Sequence, residues 1–228
     1  MPNKLFKLSP SDFKYLWEDC KHCYHQKVVR GIYLPSIGMP GVFNKMTGML
    51  QETIQGMSLK DIDPSLPSGT INAKETYLKS TPIPPTKDSF ISGRLDVLSK
   101  LEDGTYGLID FKITEQNREK AEKFSRQLHA YKFALENPLQ DVPKKVSKMG
   151  LIVVSPDSIS FEDGHVVFKT KPTWYEIKED MEDFYEFISE VSNLLGGPVP
   201  DSTKTCKWCV YRDYFSPNPE DEQEEIPF

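Results

Sequence analysis

The sequence predicts an α/β fold, a mixed β-sheet flanked by helices. Three features lead there. Two strand-like runs, Phe90–Leu98 and Tyr106–Ile113, are joined by Glu102-Asp103-Gly104-Thr105, a composition suited to a hairpin turn. A short apolar run, Met149–Val154, reads as a further buried strand. Before and after these runs, apolar residues recur at helical spacing.

The 228 residues suffice for one sizeable domain. No run of about 18 apolar residues occurs, which argues against a membrane-spanning helix. The N-terminus lacks the charged-then-apolar pattern of a signal peptide, so a cytoplasmic location is expected. A formal net charge of -6 argues against a uniformly basic nucleic-acid binder. A local basic groove remains compatible with it, because much of the acid lies after Glu220 and between Glu176 and Glu190. Four segments are expected: residues 1–39 with a first helix and cysteine pair, a core over 40–200, a second cysteine pair within 201–216, and a disordered acidic tail over 217–228.

Residues 8–34 open with a helix start. Ser9 is placed to cap, Pro10 takes the first helical position, and Asp12 falls in the first turn. Phe13, Leu16 and Trp17 form an apolar stripe leading into Cys20-Lys-His-Cys23. Residues 40–56 read as a second helix with Phe43, Met46, Leu50 and Ile54 on its buried side. From Met57 to Asp88, Pro64, Pro67, Pro82, Pro84 and Pro85 point to loops with one short strand.

The helix expected over Glu115–Glu136 packs through Ala121, Phe124, Leu128, Tyr131 and Leu135 and ends at Asn137-Pro138. Ser158–Thr170 reads as a second hairpin turning at Asp163-Gly164. Thr173 and Glu176 read as a capping box for a last long helix that carries Ile177, Met181, Phe184, Ile188, Val191 and Leu195 and stops at Gly196-Gly197.

The chemistry concentrates in the first hairpin and the helix after it. Asp110 and Lys112 are two apart on a strand and share a face with Leu108, while Ile109 and Phe111 point the other way. Asp96 on the neighbouring strand supplies a second carboxylate. Two converging carboxylates suit a hard divalent cation such as Mg²⁺ or Mn²⁺, and a lysine beside them can orient a water or stabilise charge developing on phosphorus. Gln127 and Tyr131 lie four residues apart, on one helix face. Lys120, Lys123 and Arg126 are available to phosphates, although a solvated face also accounts for them.

Gly93-x-x-Asp96, then Asp110-x-Lys112 after apolar residues, then Gln127-x-x-x-Tyr131 resembles the motif series of the PD-(D/E)XK nuclease superfamily, in its RecB-like branch. The resemblance implies a restriction-endonuclease-like core. It implies a catalytic metal held by Asp96, Asp110 and Phe111, with Lys112 assisting the attacking water and with Gln127 and Tyr131 contacting DNA or steadying the site. That branch often carries a histidine as a further ligand on the preceding helix, a few residues after a glycine. After Gly48 this chain has Gln51 and Glu52, of which Glu52 is the better ligand for Mg²⁺.

Cys20, Cys23, Cys206 and Cys209 are the only cysteines. Two Cys-x-x-Cys pairs in a reducing compartment suggest a metal or cluster rather than disulfides, and spacing alone does not separate tetrahedral Zn²⁺ from iron–sulfur. Several RecB-like nucleases, including the AddB type and the CRISPR-associated iron–sulfur exonucleases, hold a 4Fe–4S cluster with one early and three late cysteines. The resemblance therefore implies a 4Fe–4S cluster, with 2Fe–2S and Zn²⁺ as alternatives, since here the ligands divide two and two.

The tail Glu220–Phe228 resembles the acidic end of bacterial single-stranded DNA-binding proteins. That resemblance implies docking of Ile226, Pro227 and Phe228 onto a replication or recombination partner. The expected function is a Mg²⁺- or Mn²⁺-dependent DNA exonuclease acting on single strands or ends. The alternative is a non-catalytic DNA-binding or assembly module of the same fold in recombination, repair or spacer acquisition.

Overall fold

The computed structural model describes residues 5–35 and 40–214. Its fold is α/β, a mixed sheet flanked by helices. Strand β1 (Phe6–Leu8) precedes helices α1 (Pro10–Asp19), α2 (Lys21–Arg30), α3 (Gly41–Ile54) and α4 (Leu59–Ile62). Strands β2 (Gly69–Pro82), β3 (Ser89–Leu101) and β4 (Tyr106–Ile113) follow, then α5 (Arg118–Glu122), α6 (Ser125–Glu136) and β5 (Val146–Val154). The hairpin β6 (Ser158–Glu162) and β7 (His165–Lys169) leads to β8 (Thr173–Glu176), α7 (Met181–Gly196) and α8 (Lys207–Tyr214).

The main sheet runs β1-β3-β4-β5-β8, with β2 also paired to β3. Pairing is parallel for β1–β3 and β4–β5 and antiparallel for β2–β3, β3–β4 and β5–β8. The alternation along β4 comes out as the sequence predicts. Leu108 enters the core formed with α1, α2, α6 and α7, where Phe13, Trp17, Tyr24, Phe133, Phe184 and Phe187 lie. Ile109 and Phe111 enter a second core on the opposite face, with Ile54 of α3 and Leu59 of α4.

Four expectations are corrected. The segment assigned to loops contains β2, a long strand. Its prolines fall before it, at its last residue or beyond, so thirteen residues from Gly69 to Thr81 can pair with β3 along their length. Residues 8–34 hold two helices, because Cys20 takes extended backbone (φ -163°, ψ 110°) between them. The helix after β4 breaks at Lys123–Phe124, where Phe124 turns into the core. Thr173–Glu176 is a strand and not a capping box, because Tyr175 and Trp174 pair with Leu151 and Ile152. Asp180 caps α7 instead, its side chain accepting from Asp183 N at 3.0 Å. Among the described residues, no helix is long and apolar enough to cross a membrane. The tail residues Ile226, Pro227 and Phe228 lie outside the described residues.

Candidate active site

Strand β3 is shared along its length. β2 occupies one edge from Phe90 to Leu101. On the other edge β1 pairs with Ser89–Ile91, and β4 pairs only with Val97–Lys100. Between these partners, residues 92–96 leave a notch in the strand pairing on this edge. Asp96 stands at its margin, and β4 continues past the last β3 pair with Asp110, Phe111 and Lys112.

Asp96, Asp110 and Lys112 meet there. Lys112 Nζ lies 2.7 Å from Asp110 Oδ2, and Phe111 N–H donates to Asp96 Oδ2 at 3.3 Å. A strand residue presents its N–H and C=O to the same side, so the Phe111 carbonyl also faces the notch, whereas its ring belongs to the opposite core. Burial, with the nearby Asp110 charge, pushes the Asp96 carboxyl up to about 7 against the opposing pull of Lys112. Burial works to lower Lys112, but the two aspartates outweigh it and hold the ammonium above its ordinary value. Two close carboxylates, one buried and one half-buried, accept a proton or a cation between them. With the Phe111 carbonyl they form an all-oxygen donor set that fits a hard divalent ion.

Gln127 and Tyr131 stand behind this group, 3% and 4% exposed. Gln127 Nε2 donates to Asp110 Oδ1 at 3.2 Å, and the Tyr131 hydroxyl donates to the Arg94 carbonyl at 2.6 Å, within the notch. Gly93 makes this approach possible, since a Cβ there would meet Pro10 at 2.9 Å and the Tyr131 ring at 3.4 Å.

A cleft of about 610 Å³ opens onto the group, lined in part by Asp96, Phe111, Lys112, Lys14, Tyr15, Phe43 and Lys120. Tyr15 and Phe43 are exposed at 52% and 40%. Sequence reasoning singled out Lys120 for phosphate but missed Lys14, Tyr15 and Phe43 as cleft residues. The four come from α1, α3 and α5, and only the fold brings them together; Phe43 was assigned to a buried helix face. On α3 the two histidine replacements divide, Gln51 being buried and Glu52 exposed. Glu52 does not join Asp96 and Asp110 in a cluster of the tightness described next for cysteine.

The four cysteines are brought together from both ends of the sequence. Their ligand atoms all lie within 4.8 Å of one another, the one such group of three or more His, Cys, Asp or Glu among the described residues. Cys20 Sγ is 3.6 Å from Cys209 Sγ; Cys23 Sγ is 3.6 Å from Cys209 Sγ and 3.8 Å from Cys206 Sγ. Each pair sits at a helix N-terminus. Cys20 caps α2, accepting from Cys23 N at 3.5 Å, and Cys206 immediately precedes α8. His22 fastens the two segments, its Nδ1 donating to the Pro200 carbonyl at 2.7 Å while its Nε2 accepts from Arg212.

A solved structure described as the crystal structure of SSO0001 is similar at 16% identity and a TM-score of 0.47, covering 91% of this chain and 84% of that one. No curated protein matches the sequence. The model of the PD-(D/E)XK nuclease superfamily matches residues 15–214, which contain the acid–acid–lysine group, its buried Gln–Tyr support and all four cysteines. The chain belongs to the PD-(D/E)XK nuclease superfamily.

Proposed function

We propose that this chain is a divalent-metal-dependent DNA nuclease of the RecB-like branch, an exonuclease on single strands or DNA ends. The observation that carries this reading is the Asp96–Asp110–Lys112 group, Asp110 buried and the other two half-buried, opening onto a cleft that also holds Lys14, Lys120 and the exposed rings of Tyr15 and Phe43. Membership of the superfamily supports a metal-dependent nuclease in general. The exonuclease reading rests on the cleft's mix of cations and exposed aromatics, the composition that tracks and stacks a single strand.

In this mechanism Asp96, Asp110 and the Phe111 carbonyl would hold Mg²⁺ or Mn²⁺, which would supply Lewis-acid polarisation of a phosphoryl oxygen and of a water. Lys112 orients the attacking water and offers positive charge to the oxygens of the scissile phosphate. Its ion pair with Asp110 fixes the ammonium at the strand before substrate arrives. Gln127 positions Asp110, and Tyr131 holds the β3 backbone beside Asp96. Lys14 and Lys120 attract the phosphate backbone, while Tyr15 and Phe43 stack on bases.

The Ile226-Pro227-Phe228 end is proposed to dock a replication or recombination partner, on its sequence resemblance alone. Unchanged pull-down partners after its deletion would count against that docking. For the nuclease, end-labelled single- and double-stranded DNA is incubated with Mg²⁺ or Mn²⁺ and wild type, Asp110→Ala or Lys112→Ala. Degradation by wild type alone supports the proposal. Inactive, folded wild type that still binds DNA would favour a non-catalytic module.

A further inference from the structure

The resemblance implies a 4Fe–4S cluster at the four cysteines; their geometry does not fit one. A 4Fe–4S cluster places each thiolate on a different iron, outside a core of iron and sulfide, so the width of that core separates the thiolates. Here three sulfur–sulfur distances are 3.6, 3.6 and 3.8 Å, and all four sulfurs lie within 4.8 Å of one another. A 2Fe–2S centre fits no better. It would divide the thiolates into two sets on separate irons, yet Cys23 is equally close to Cys209 and, within 0.2 Å, to Cys206.

We infer that the site holds one tetrahedral metal ion of the zinc class, with no sulfide, ligated by Cys20, Cys23, Cys206 and Cys209. An ion with metal–sulfur bonds of about 2.3 Å sets its tetrahedral thiolates about 3.8 Å apart. The observed separations match that spacing. The two Cys-x-x-Cys pairs supply the four thiolates that one tetrahedral ion needs. Each pair closes around one helix start, with Cys23 N directed at Cys20 Sγ. Leu16, Leu34 and Trp208 pack around the sulfurs, and with all four positions filled by protein the ion is structural. The inference rests on the cysteines alone and is independent of the nuclease reading.

The test uses the full chain, purified without oxygen, added metal or chelator. Zinc, iron and acid-labile sulfide are measured and the visible spectrum recorded, and zinc is then exchanged for Co²⁺. The expected result is about one zinc per chain, no sulfide, a colourless protein, and tetrahedral thiolate bands once Co²⁺ replaces zinc. Cys209→Ser is expected to lose the zinc. Should that variant not fold, titrating wild type with a chelator gives the same readout, zinc release accompanied by a lower melting temperature. Iron with matching sulfide and a brown colour would overturn the inference. So would folded protein that takes up neither zinc nor Co²⁺. Both readouts are independent of DNA cleavage.

Discussion

Gln127 and Asp110 are joined by a hydrogen bond of 3.2 Å between buried side chains, one on α6 and the other on β4. The second Asp110 oxygen is paired with Lys112 at 2.7 Å. The carboxylate is therefore held from both sides, and its lone pairs are directed before a metal arrives. Gln127→Leu is expected to lower kcat about 10–100-fold, the usual cost of removing a group that orients a metal ligand. It should also weaken Mn²⁺ binding while leaving KM for DNA nearly unchanged. Steady-state kinetics and Mn²⁺ titration check this; an unchanged kcat would show that Lys112 and the strand suffice to hold Asp110.

Lys112→Met separates charge from bulk. On the proposed mechanism it removes the cation that would face the scissile phosphate and should cost roughly 10²–10³ in kcat, with DNA affinity retained in fluorescence anisotropy. The same change leaves Asp96 and Asp110 without their ammonium, so the metal-free variant should melt lower than wild type. Added Mg²⁺ should recover much of that loss, because the ion supplies the missing positive charge.

Tyr131→Phe tests the bridge to β3. Losing the hydroxyl strips the Arg94 carbonyl of a 2.6 Å hydrogen bond. A typical value is about 1 kcal/mol, or about 2–4 °C in melting temperature for a domain of this size. Thermal unfolding beside wild type provides the check.

His129 gives the fold a pH dependence on the acid side. Its Nδ1 donates to the Ser125 carbonyl at 2.8 Å, and its Nε2 accepts from Asp180 N at 2.8 Å, at the start of α7. Burial holds its pKa below the ordinary 6.5 despite the Ser125 contact and the nearby Asp180, Glu179 and Asp183 charges. The unfolded chain therefore takes up the proton first. Stability from the neutral ring is full above the unfolded value and declines as pH falls through and below it. The melting temperature should drop between pH 7 and pH 5, more steeply for wild type than for His129→Gln.

Phe43→Ala should weaken single-stranded DNA binding by about 1–3 kcal/mol, the worth of one base–aromatic stack, with a smaller effect on duplex ends. Anisotropy with labelled oligonucleotides measures it. Equal effects on both substrates would remove Phe43 from the single-strand path.

The hairpin and the acid–acid–lysine group were legible because they are local. Strand alternation alone puts Asp110 and Lys112 on one face and Ile109 and Phe111 on the other. Strand β2 was hidden by counting prolines without noting that they bracket the run rather than interrupt it. Thr173–Glu176 matched a capping pattern, but pairing with Leu151 and Ile152 prevailed over that local signal. The cleft wall was illegible for a different reason: Lys14, Phe43 and Lys120 share no periodicity and meet only through tertiary packing. The joining of the cysteine pairs was foreseen from their type and spacing, whereas the sulfur separations required coordinates.

The wide sequence gap inside the cysteine centre sets an order of events during synthesis. Cys23 leaves the ribosome 183 residues before Cys206, which itself follows the last strand of the sheet, β8. Until then α1 and α2 rest on the core through apolar packing of Phe13, Trp17 and Tyr24 and through the ion pair of Glu18 with Arg126 on α6. For the single-ion site inferred above, metal capture would therefore be a late step that requires the sheet to have brought the two segments together. A newborn chain that has misassembled its strands should emerge without its ion, so metal content doubles as a readout of folding quality.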